Sequence, residues 1–399
     1  MKRKVCILTG TRAEFGILCP LLKEIQDDPE LHLQMLVTGA HLSPEFGLTY
    51  REIEEEGFRI DRKVEMLLSS DTPVGISKSM GLAQIGFSEA FADLAPDLVV
   101  LLGDRFEILS AAAAACVARV AIAHIHGGEV TEGAIDDDFR NAVTKMSHLH
   151  FTSTDPYRQR VIQMGEHPDR VFHVGSLGVQ RLRGLDLLSK EALEESLGFI
   201  LGKKAILVTY HPATKEPEAA QLPFRRLLEA LDAFESLRVI FTKANADAGG
   251  RLINRMIDDY VHEHPERAIA FASMGQIRYL SAMKHVQAVV GNSSSGILEA
   301  PSLRAPVVNV GDRQQGRIRA ENVIDCDPSK EAIAKSLQEA LSEQFQARMA
   351  RVVNPYEKNN TALEIKEVLK KCDLQAILRK RFYDLPVSSG WMKADGFRS

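Results

Sequence analysis

The sequence has no long apolar run and no segment dominated by one charge, and these absences exclude several classes of protein. The longest apolar tract, LAPDLVVLLG, is too short to cross a bilayer. No run or domain is rich in lysine and arginine, and the formal net charge of the 399 residues is −5. We therefore expect neither a membrane partner nor a nucleic-acid partner.

Cysteine is scarce, and its spacing matches no disulfide framework and no zinc motif. The chain has five cysteines: Cys6, Cys19, Cys116, Cys326 and Cys372. An odd number of cysteines without a pairing pattern is typical of a reducing compartment, so we expect a cytoplasmic protein.

Two nucleotide-binding signatures are also missing. No G-x-G-x-x-G motif follows the first predicted strand, which argues against an NAD-binding Rossmann domain. The glycine- and serine-containing loop at 291–296 lacks the lysine of an NTPase P-loop. We therefore expect no dinucleotide and no other cofactor.

Short apolar runs alternate with longer segments in which apolar residues recur at helical spacing, and the pattern starts again at KAILVTYHP near residue 204. Such runs are typical of strands buried on both faces of a parallel sheet. The predicted class is therefore α/β, with two Rossmann-like, doubly wound parallel-sheet domains. The predicted limits are 1–176 and 177–360, then a terminal helix at 361–381 that packs back across the domain join, then a tail at 382–399.

Glycine and polar side chains follow seven of the predicted strands. These strand ends are Thr9–Arg12, Gly103–Arg105, His126–Glu129, His211, Asn245–Asp247, Asn292–Gly296 and Gly311–Arg313. Loops favour such residues, so some of them are only turn formers. Because ligands of open parallel sheets bind beyond the carboxyl ends of the strands, we expect a shared cleft.

The loop GNSSSG and the helix predicted after it are suited to a nucleotide diphosphate. Ser293, Ser294 and Gly296 fall at the start of that helix, where free N–H groups attract phosphate. Glu299 follows them and could accept hydrogen bonds from two ribose hydroxyls, and Arg313 could bind a phosphate with both ends of its guanidinium. The alternative is a helix-capping serine with an exposed glutamate.

Further candidates for ligand binding lie in other strand-end loops. Arg12 follows Gly10, and it either faces a ligand or pairs with a loop carboxylate. His211 precedes Pro212, which fixes a rigid turn. Asn245, taken alone, is better explained as a turn former than as a ligand.

The stretch AHIHGGE, with the acidic run DDD after it, contains the densest ionisable groups of the chain. His124 and His126 share one face of a strand, a spacing that can bind Zn²⁺ or Fe²⁺. Alternatively, Asp104, Glu129 and the aspartates at 136–138 form a metal-free acid/base centre in which crowded carboxylates raise one another's pKa. One of the three aspartates is also expected to stabilise the helix N-terminus. We favour the centre without metal.

Several motifs together, in their order and separation, resemble a known family. GTRAEFG, LLGDRFE, AHIHGGE, GNSSSGILEAPSL and VNVGDRQQGR are similar to the hydrolysing UDP-N-acetylglucosamine 2-epimerases, in particular to the bacterial sialic-acid-pathway (NeuC) type. The resemblance covers almost the whole chain, from residue 3 to residue 386. It implies the GT-B fold, two Rossmann-like domains with the active site between them, and a homodimer or homotetramer.

The resemblance also implies a reaction. UDP is eliminated from UDP-N-acetylglucosamine across C1 and C2 to give 2-acetamidoglucal, and addition of water releases N-acetylmannosamine and UDP for sialic acid biosynthesis. A sister group acts on UDP-N,N′-diacetylbacillosamine in legionaminic acid biosynthesis, and the sequence leaves this alternative open. A GT-B glycosyltransferase is a further alternative.

The family motifs assign roles to individual residues of this chain. The implied catalytic groups are Asp104, His126, Glu129 and Asp136, where His126 replaces a carboxylate of many relatives, so that either His126 or Glu129 is the base at C2. The candidate UDP site consists of Arg12, Arg105, His211, Asn245, Asn292, Ser293, Ser294, Gly296, Glu299 and Arg313.

Overall fold

The computed structural model describes residues 2–70, 72–131, 135–212, 217–244 and 250–386, which divide into two compact units. Unit 1 is drawn from Met1–Glu129, Ala134–Leu177 and Lys358–Ser399, and unit 2 from Val130–Gly133 and Gly178–Glu357. Within these described ranges, no helix is both long and apolar enough to span a bilayer.

Each unit is built around one sheet in which every recorded strand pair is parallel. The strands in chain order are β1 Arg3–Thr9, β2 Leu31–Thr38, β3 Arg62–Val64, β4 Leu98–Leu102, β5 Ala121–Ile125, β6 Leu149–Thr152, β7 Val171–His173, β8 Ala205–Thr209, β9 Arg238–Thr242, β10 Ala268–Phe271, β11 Ala288–Gly291, β12 Val307–Val310 and β13 Val323–Cys326. The order in the first sheet is β3-β2-β1-β4-β5-β6-β7, and in the second β10-β9-β8-β11-β12-β13. The predicted α/β class with two doubly wound parallel sheets is confirmed.

Helices connect the strands. In chain order they are α1 Arg12–Gln26, α2 Tyr50–Glu55, α3 Pro73–Leu94, α4 Phe106–Val117, α5 Ile135–Met146, α6 Asp155–Gln163, α7 Leu177–Arg183, α8 Lys190–Leu197, α9 Pro217–Leu231, α10 Gly250–Glu263, α11 Gly275–His285, α12 Ser295–Leu298, α13 Lys330–Ala340, α14 Glu343–Arg348, α15 Thr361–Lys371 and α16 Leu374–Leu378. Short 3₁₀ turns lie at Gly39–Leu42, Pro44–Phe46, Pro168–Arg170 and Met349–Arg351.

Both faces of each sheet are covered by a hydrophobic core, which explains the continuous apolar runs of the strands. In β1, Val5 and Ile7 point into one core of unit 1, while Cys6 and Leu8 point into the other. In unit 2, the strands β8 to β12 likewise divide their buried side chains between two cores. A strand with period-2 alternation of polar and apolar residues could not be buried on both faces in this way.

The strand order reverses once in each sheet, and the reversal creates the crevice in which ligands of such sheets bind. In unit 1, the reversal lies between β1 and β4, so that Thr9 and Gly10 adjoin Gly103 and Asp104. In unit 2, it lies between β8 and β11, which brings Tyr210 and His211 beside Asn292.

The end of the chain returns to unit 1 after unit 2 is complete. It forms two helices, α15 and α16, where the sequence predicted one helix over 361–381. Cys372 ends α15, and the side chain of Asp373 accepts the backbone N–H groups of Gln375 and Ala376 and so starts α16. Residues beyond 386, most of the predicted tail, lie outside the described residues.

Candidate active site

A buried ion pair joins the end of β4 to α5 in unit 1. Asp104 follows the strand after Gly103, and the guanidinium of Arg140 pairs with its carboxylate. Burial raises the pKa of Asp104; Arg140 opposes this, while the charges of Asp136 and Glu129 raise the pKa further. Asp104 is therefore a carboxyl group whose proton affinity is shifted toward that of an acid/base catalyst.

Arg140 connects three segments that contain predicted catalytic residues. Its side chain is 3% exposed. Besides Asp104, it pairs with Asp137, one turn earlier in α5, and donates to the backbone carbonyl of Glu129 at 2.7 Å. The arginine thereby fixes the loop after β5 relative to the end of β4.

The three consecutive aspartates at the start of α5 have different surroundings. Asp137 pairs with Arg140, and Asp138 is exposed to solvent. Asp136 is half-buried, and its charge raises the pKa values of Asp104 and of Arg105. The predicted catalytic Asp136 therefore lies within electrostatic range of Asp104, whereas Asp138 can compensate the helix dipole.

His126 and Glu129 contact each other in the loop after β5. Nδ1 of His126 is 3.5 Å from Oε1 of Glu129, and the hydroxyl of Ser153 donates to the same oxygen at 2.6 Å. His126 has φ of +70°, an unfavourable conformation for a non-glycine residue that costs about 1–3 kcal/mol. Its buried Nε2 has no hydrogen-bond partner among the described residues.

Gly128, in the same loop, lies so close to the backbone of α6 that only glycine fits there. Its φ is +79°, and a Cβ there would lie 2.5 Å from the carbonyl oxygen of Tyr157. That contact packs the loop directly on α6, so that the positions of His126 and Glu129 depend on this glycine.

His124, the first histidine of the H-x-H pair, has a structural role that leaves neither ring nitrogen for a metal. Its Nε2 donates to the carbonyl of Gly103 at 2.8 Å, and its Nδ1 is 3.1 Å from the hydroxyl of Thr144. Burial lowers the pKa of His124 to about 3, which keeps the ring neutral. Among the residues that the structure describes, no three His, Cys, Asp or Glu side chains are grouped as a metal site.

In unit 2, Asn292 and His211 are joined where the strand order reverses. The side chain of Asn292 accepts the backbone N–H of His211 at 2.8 Å and donates to the carbonyl of His211 at 2.8 Å. Gly291 precedes Asn292 with φ of +136°, and a Cβ there would be 1.9 Å from the carbonyl oxygen of Thr209. The buried Asn292 therefore holds the His211 turn in place.

Arg313 belongs to the same group of contacts. Its Nη1 donates to the carbonyl of Asn292 at 3.0 Å, and the side chain of Gln314 donates to that carbonyl at 2.9 Å. The structure thus brings together His211, Asn292 and Arg313, three of the predicted UDP ligands. Gln314 was not predicted, although it directly follows the G-D-R segment.

The serine loop starts a helix of only one turn, α12. Ser294 is its N-cap, and the hydroxyl of Ser293 is 3.0 Å from that of Ser295. Tyr279 of α11, a residue that the sequence did not indicate, is 2.6 Å from the Ser295 hydroxyl and 3.3 Å from that of Thr209. The buried Gly296 packs on Val307, where a Cβ would be 3.0 Å from the valine side chain.

Glu299 ends α12 with an unusual carboxyl group. Burial raises its pKa to about 7, although its own backbone N–H and the charge of Arg317 lower it. Its Oε2 is buried and has no hydrogen-bond partner in the described part of the chain. A buried acceptor without a partner is suited to a ligand hydroxyl.

Two further predicted UDP ligands, Arg12 and Arg105, belong to unit 1. Arg12, at the start of α1, forms an exposed ion pair with Glu52 at 2.8 Å. Arg105 lies next to Asp104 and donates through Nε to Glu107 at 2.6 Å. Asn245 lies outside the described residues.

Most of the chain matches one known protein family. The protein-family model described as UDP-N-acetylglucosamine 2-epimerase matches residues 23–370. That range includes most of the predicted catalytic and nucleotide-binding positions.

Three curated relatives are similar over most of the chain. The GDP/UDP-N,N′-diacetylbacillosamine 2-epimerase (hydrolyzing) of Campylobacter jejuni is 45% identical over 96% of this chain and 100% of its own length. The polysialic acid biosynthesis protein P7 of Escherichia coli is 36% identical, with 96% and 98% covered. The UDP-N,N′-diacetylbacillosamine 2-epimerase (hydrolyzing) of Legionella pneumophila is 36% identical, with 86% and 90% covered.

Solved structures share the fold at low sequence identity. The UDP-GlcNAc 2-epimerase of Methanocaldococcus jannaschii, in complex with UDP-GlcNAc and UDP, superimposes with a TM-score of 0.75 at 18% identity, covering 92% of this chain and 99% of that one. This likeness confirms the expected GT-B-like fold class.

Proposed function

The chain belongs to the UDP-N-acetylglucosamine 2-epimerase family and is a hydrolysing UDP-sugar 2-epimerase, and we propose that its substrate is UDP-N,N′-diacetylbacillosamine. The sequence motifs alone favoured UDP-N-acetylglucosamine as the substrate, with the bacillosamine derivative as the alternative. The relatives favour the alternative.

The observation that carries the proposal is the 45% identity to the Campylobacter epimerase over its complete length. The polysialic acid biosynthesis protein P7 of Escherichia coli, whose name fits the sialic-acid pathway, is less similar over the same span. Because the name of the Campylobacter protein includes both GDP and UDP forms of the sugar, both nucleotides belong in the test.

The acid/base work of the reaction is assigned to unit 1. A base removes the proton at C2 while the nucleoside diphosphate leaves C1, which gives a glycal with a C1–C2 double bond. Protonation of C2 from the opposite face and addition of water at C1 then release the free 2-epimer. Asp104 and Asp136 are assigned to proton transfer, and the His126–Glu129 pair supplies the base at C2.

The nucleotide is assigned mainly to unit 2. Arg313 binds the diphosphate, His211 and the serine loop lie beside it in the same crevice, and Glu299 accepts the ribose hydroxyls. The C2 proton is only weakly acidic, so departure of the diphosphate must contribute much of the driving force. Positive charge at the diphosphate stabilises the negative charge that develops as the C1–O bond breaks.

A product assay with three substrates tests the proposal. The enzyme is incubated separately with UDP-N,N′-diacetylbacillosamine, GDP-N,N′-diacetylbacillosamine and UDP-N-acetylglucosamine, without any acceptor sugar, and the nucleotide and free sugar are quantified by chromatography and NMR. We expect kcat/KM to be highest for UDP-N,N′-diacetylbacillosamine, with one free 2,4-diacetamido sugar of the manno configuration per UDP released.

Other outcomes of this assay have definite meanings. A higher kcat/KM for UDP-N-acetylglucosamine, with release of N-acetylmannosamine, would reject the proposed sugar and support the polysialic-acid type. A higher value for the GDP sugar would reject UDP as the carrier. Dependence of turnover on an added acceptor would indicate a glycosyltransferase.

A further inference from the structure

Two buried glutamates lie where the strand order of unit 1 reverses, and the proposed reaction uses neither of them. Glu14 lies in the first turn of α1, after β1, and Glu107 lies in the first turn of α4, after β4. They are 8% and 1% exposed. Burying two carboxyl groups side by side is costly unless each is paired or protonated.

Both glutamates approach one nitrogen of Arg105. Nε of Arg105 donates to Oε1 of Glu107 at 2.6 Å and is 3.7 Å from Oε1 of Glu14. The other oxygen of Glu14 accepts the backbone N–H of Gly10 at 2.7 Å. The only hydrogen bond that Arg105 makes to described residues is the one to Glu107, so its two terminal amino groups remain available.

Gly10 permits this arrangement. A Cβ at Gly10 would lie 2.8 Å from Oε1 of Glu107 and 3.3 Å from its carboxyl carbon. The backbone after β1 can therefore donate to one glutamate while it packs against the other. The segment after β1 therefore contacts both glutamates that approach Arg105.

The charges balance if one glutamate is neutral. Burial raises the pKa of Glu14 to about 7, and the charge of Glu107 raises it further, whereas the Gly10 N–H and Arg105 lower it. One proton, one carboxylate and one guanidinium then form a neutral group. Near pH 7, a single proton decides whether Arg105 faces one carboxylate or two.

No other positive charge among the groups described next neutralises the second glutamate in place of this proton. His41, which contacts Thr9 at the end of β1, has its pKa lowered to about 4 by burial and is neutral. Arg12, on the same helix as Glu14, is occupied by an exposed ion pair with Glu52. Asp136, from α5, adds negative charge near Arg105.

We propose that Glu14 and Glu107 are positioning residues that hold Arg105 by its Nε, so that its two terminal amino groups bind the anionic part of the nucleotide sugar. The inference rests on the proposed function. An arginine held in this way presents a bidentate donor with little loss of side-chain entropy on binding.

Deprotonation of Glu14 would weaken this arrangement. A second carboxylate close to Nε competes with the ligand for the guanidinium, so affinity for UDP should decrease relative to a variant that cannot ionise. Glu14→Gln keeps the shape of the neutral acid. The ratio of the dissociation constants of wild type and Glu14→Gln should therefore rise with pH, and effects of all other groups cancel in the ratio.

Calorimetric titration of UDP at about pH 6 and about pH 8 tests the proposal. We expect Glu107→Gln to weaken UDP binding about tenfold at both pH values, the magnitude of a lost charge-assisted interaction. We expect the ratio of the UDP dissociation constant of wild type to that of Glu14→Gln to rise about threefold or more from about pH 6 to about pH 8. Glu89→Gln, a change of an exposed glutamate on α3, is the matched control and should follow the wild type.

Infrared spectroscopy provides a readout that needs neither ligand nor activity. The difference spectrum of wild type minus Glu14→Gln at about pH 6 should contain a protonated carboxyl band, because the protonated Glu299 is common to both proteins and cancels. Glu107→Gln should shift the titration of the Glu14 band to lower pH. If the band is absent and both variants bind UDP like the wild type, the proposal is wrong. If wild-type protein does not bind UDP, the proposed function fails instead, and the infrared result still decides whether the pair exists.

Discussion

Arg140 of α5 forms a buried ion pair with Asp104, which lies 36 positions earlier, after β4. The same guanidinium pairs with Asp137 and binds the carbonyl of Glu129. A single side chain therefore fixes the relative positions of the groups to which we assign proton transfer. It also makes Asp104 a carboxyl group whose charge state depends on a balance between burial and one cation.

Asp104→Asn should abolish turnover while leaving the affinity for UDP within a few-fold of the wild-type value. The amide cannot transfer a proton, and we expect kcat to fall about 10²–10⁴-fold, the range for loss of a general acid or base. Nucleotide binding is assigned mainly to unit 2 and should persist. Steady-state kinetics and calorimetric titration of UDP measure the two effects separately.

The control for Asp104→Asn is Asp93→Asn, on α3, where the aspartate forms an exposed ion pair with Arg62. It should change neither kcat nor UDP affinity. A wild-type rate in Asp104→Asn would remove Asp104 from the mechanism.

The three aspartates at the start of α5 should separate into three classes when each is replaced by asparagine. Asp136→Asn should lower kcat at least about 100-fold, because Asp136 lies near Asp104 without pairing with Arg140. Asp137→Asn should lower the free energy of unfolding by about 1–3 kcal/mol, because Arg140 loses a buried partner. Asp138→Asn should cost at most about 1 kcal/mol through the helix dipole.

Kinetics and urea denaturation of the three variants decide this assignment. If Asp136→Asn is fully active, and Asp138→Asn loses activity but keeps its stability, the roles assigned to these two residues must be exchanged.

The fold was predictable because its signals are local. Continuous apolar runs such as LVVLL in β4 occur only where both faces of a strand are covered, and their alternation with helical segments determines a parallel sheet. The division of the terminal segment into α15 and α16 was harder to predict from the sequence. It depends on Asp373 capping two N–H groups rather than on hydrophobic periodicity, which continues through 361–378.

The site was predictable only in part because its interactions join distant segments. G-D-R and D-D-D indicate charge at strand and helix ends, but not that Arg140 selects Asp137 rather than Asp136 as its partner. The motif GTRAEFG contains Glu14 but does not reveal that Glu107, on another helix, lies close enough to raise the pKa of its carboxyl group. Tyr279 has no motif at all, and only packing of α11 on β8 brings it to the serine loop.

The stability of the protein should depend on the protonation of Glu299. Because its pKa is raised to about 7 in the folded state, its contribution to stability is full below the unfolded value near 4.5 and is lost as pH rises through about 7. The free energy of unfolding of wild type relative to Glu299→Gln should fall by about 1–3 kcal/mol across that interval. Urea denaturation at several pH values measures this difference, and a constant difference would place the Glu299 carboxyl in solvent.

Arg313→Ala should weaken UDP binding by roughly 1–3 kcal/mol, the range for charge-assisted hydrogen bonds. The fold should be little affected, because Gln314 continues to donate to the Asn292 carbonyl. Arg255→Ala, a change of an exposed arginine on α10, is the matched control. Unchanged affinity in Arg313→Ala would place this arginine outside the phosphate site.

The residue that removes the C2 proton should be identifiable by replacing His126 and Glu129 in turn. His126→Asn retains a residue that tolerates positive φ and therefore should fold. Glu129→Gln keeps the acceptor for the Ser153 hydroxyl but loses the carboxylate charge. If His126 is the base and Glu129 orients it, His126→Asn should lower kcat by about 10²-fold or more, and Glu129→Gln should have the smaller effect.

Deuterium incorporation distinguishes loss of the base from loss of a later step. In deuterated water, the released sugar of the wild type should carry deuterium at C2, and the variant that lacks the base should release neither sugar nor UDP. If that variant still eliminates UDP and accumulates the glycal, the replaced residue acts in hydration, because C1–O cleavage and C2 deprotonation have already occurred. Retention of the original hydrogen at C2 in the wild-type product would contradict elimination, since a glycal has no hydrogen at that carbon.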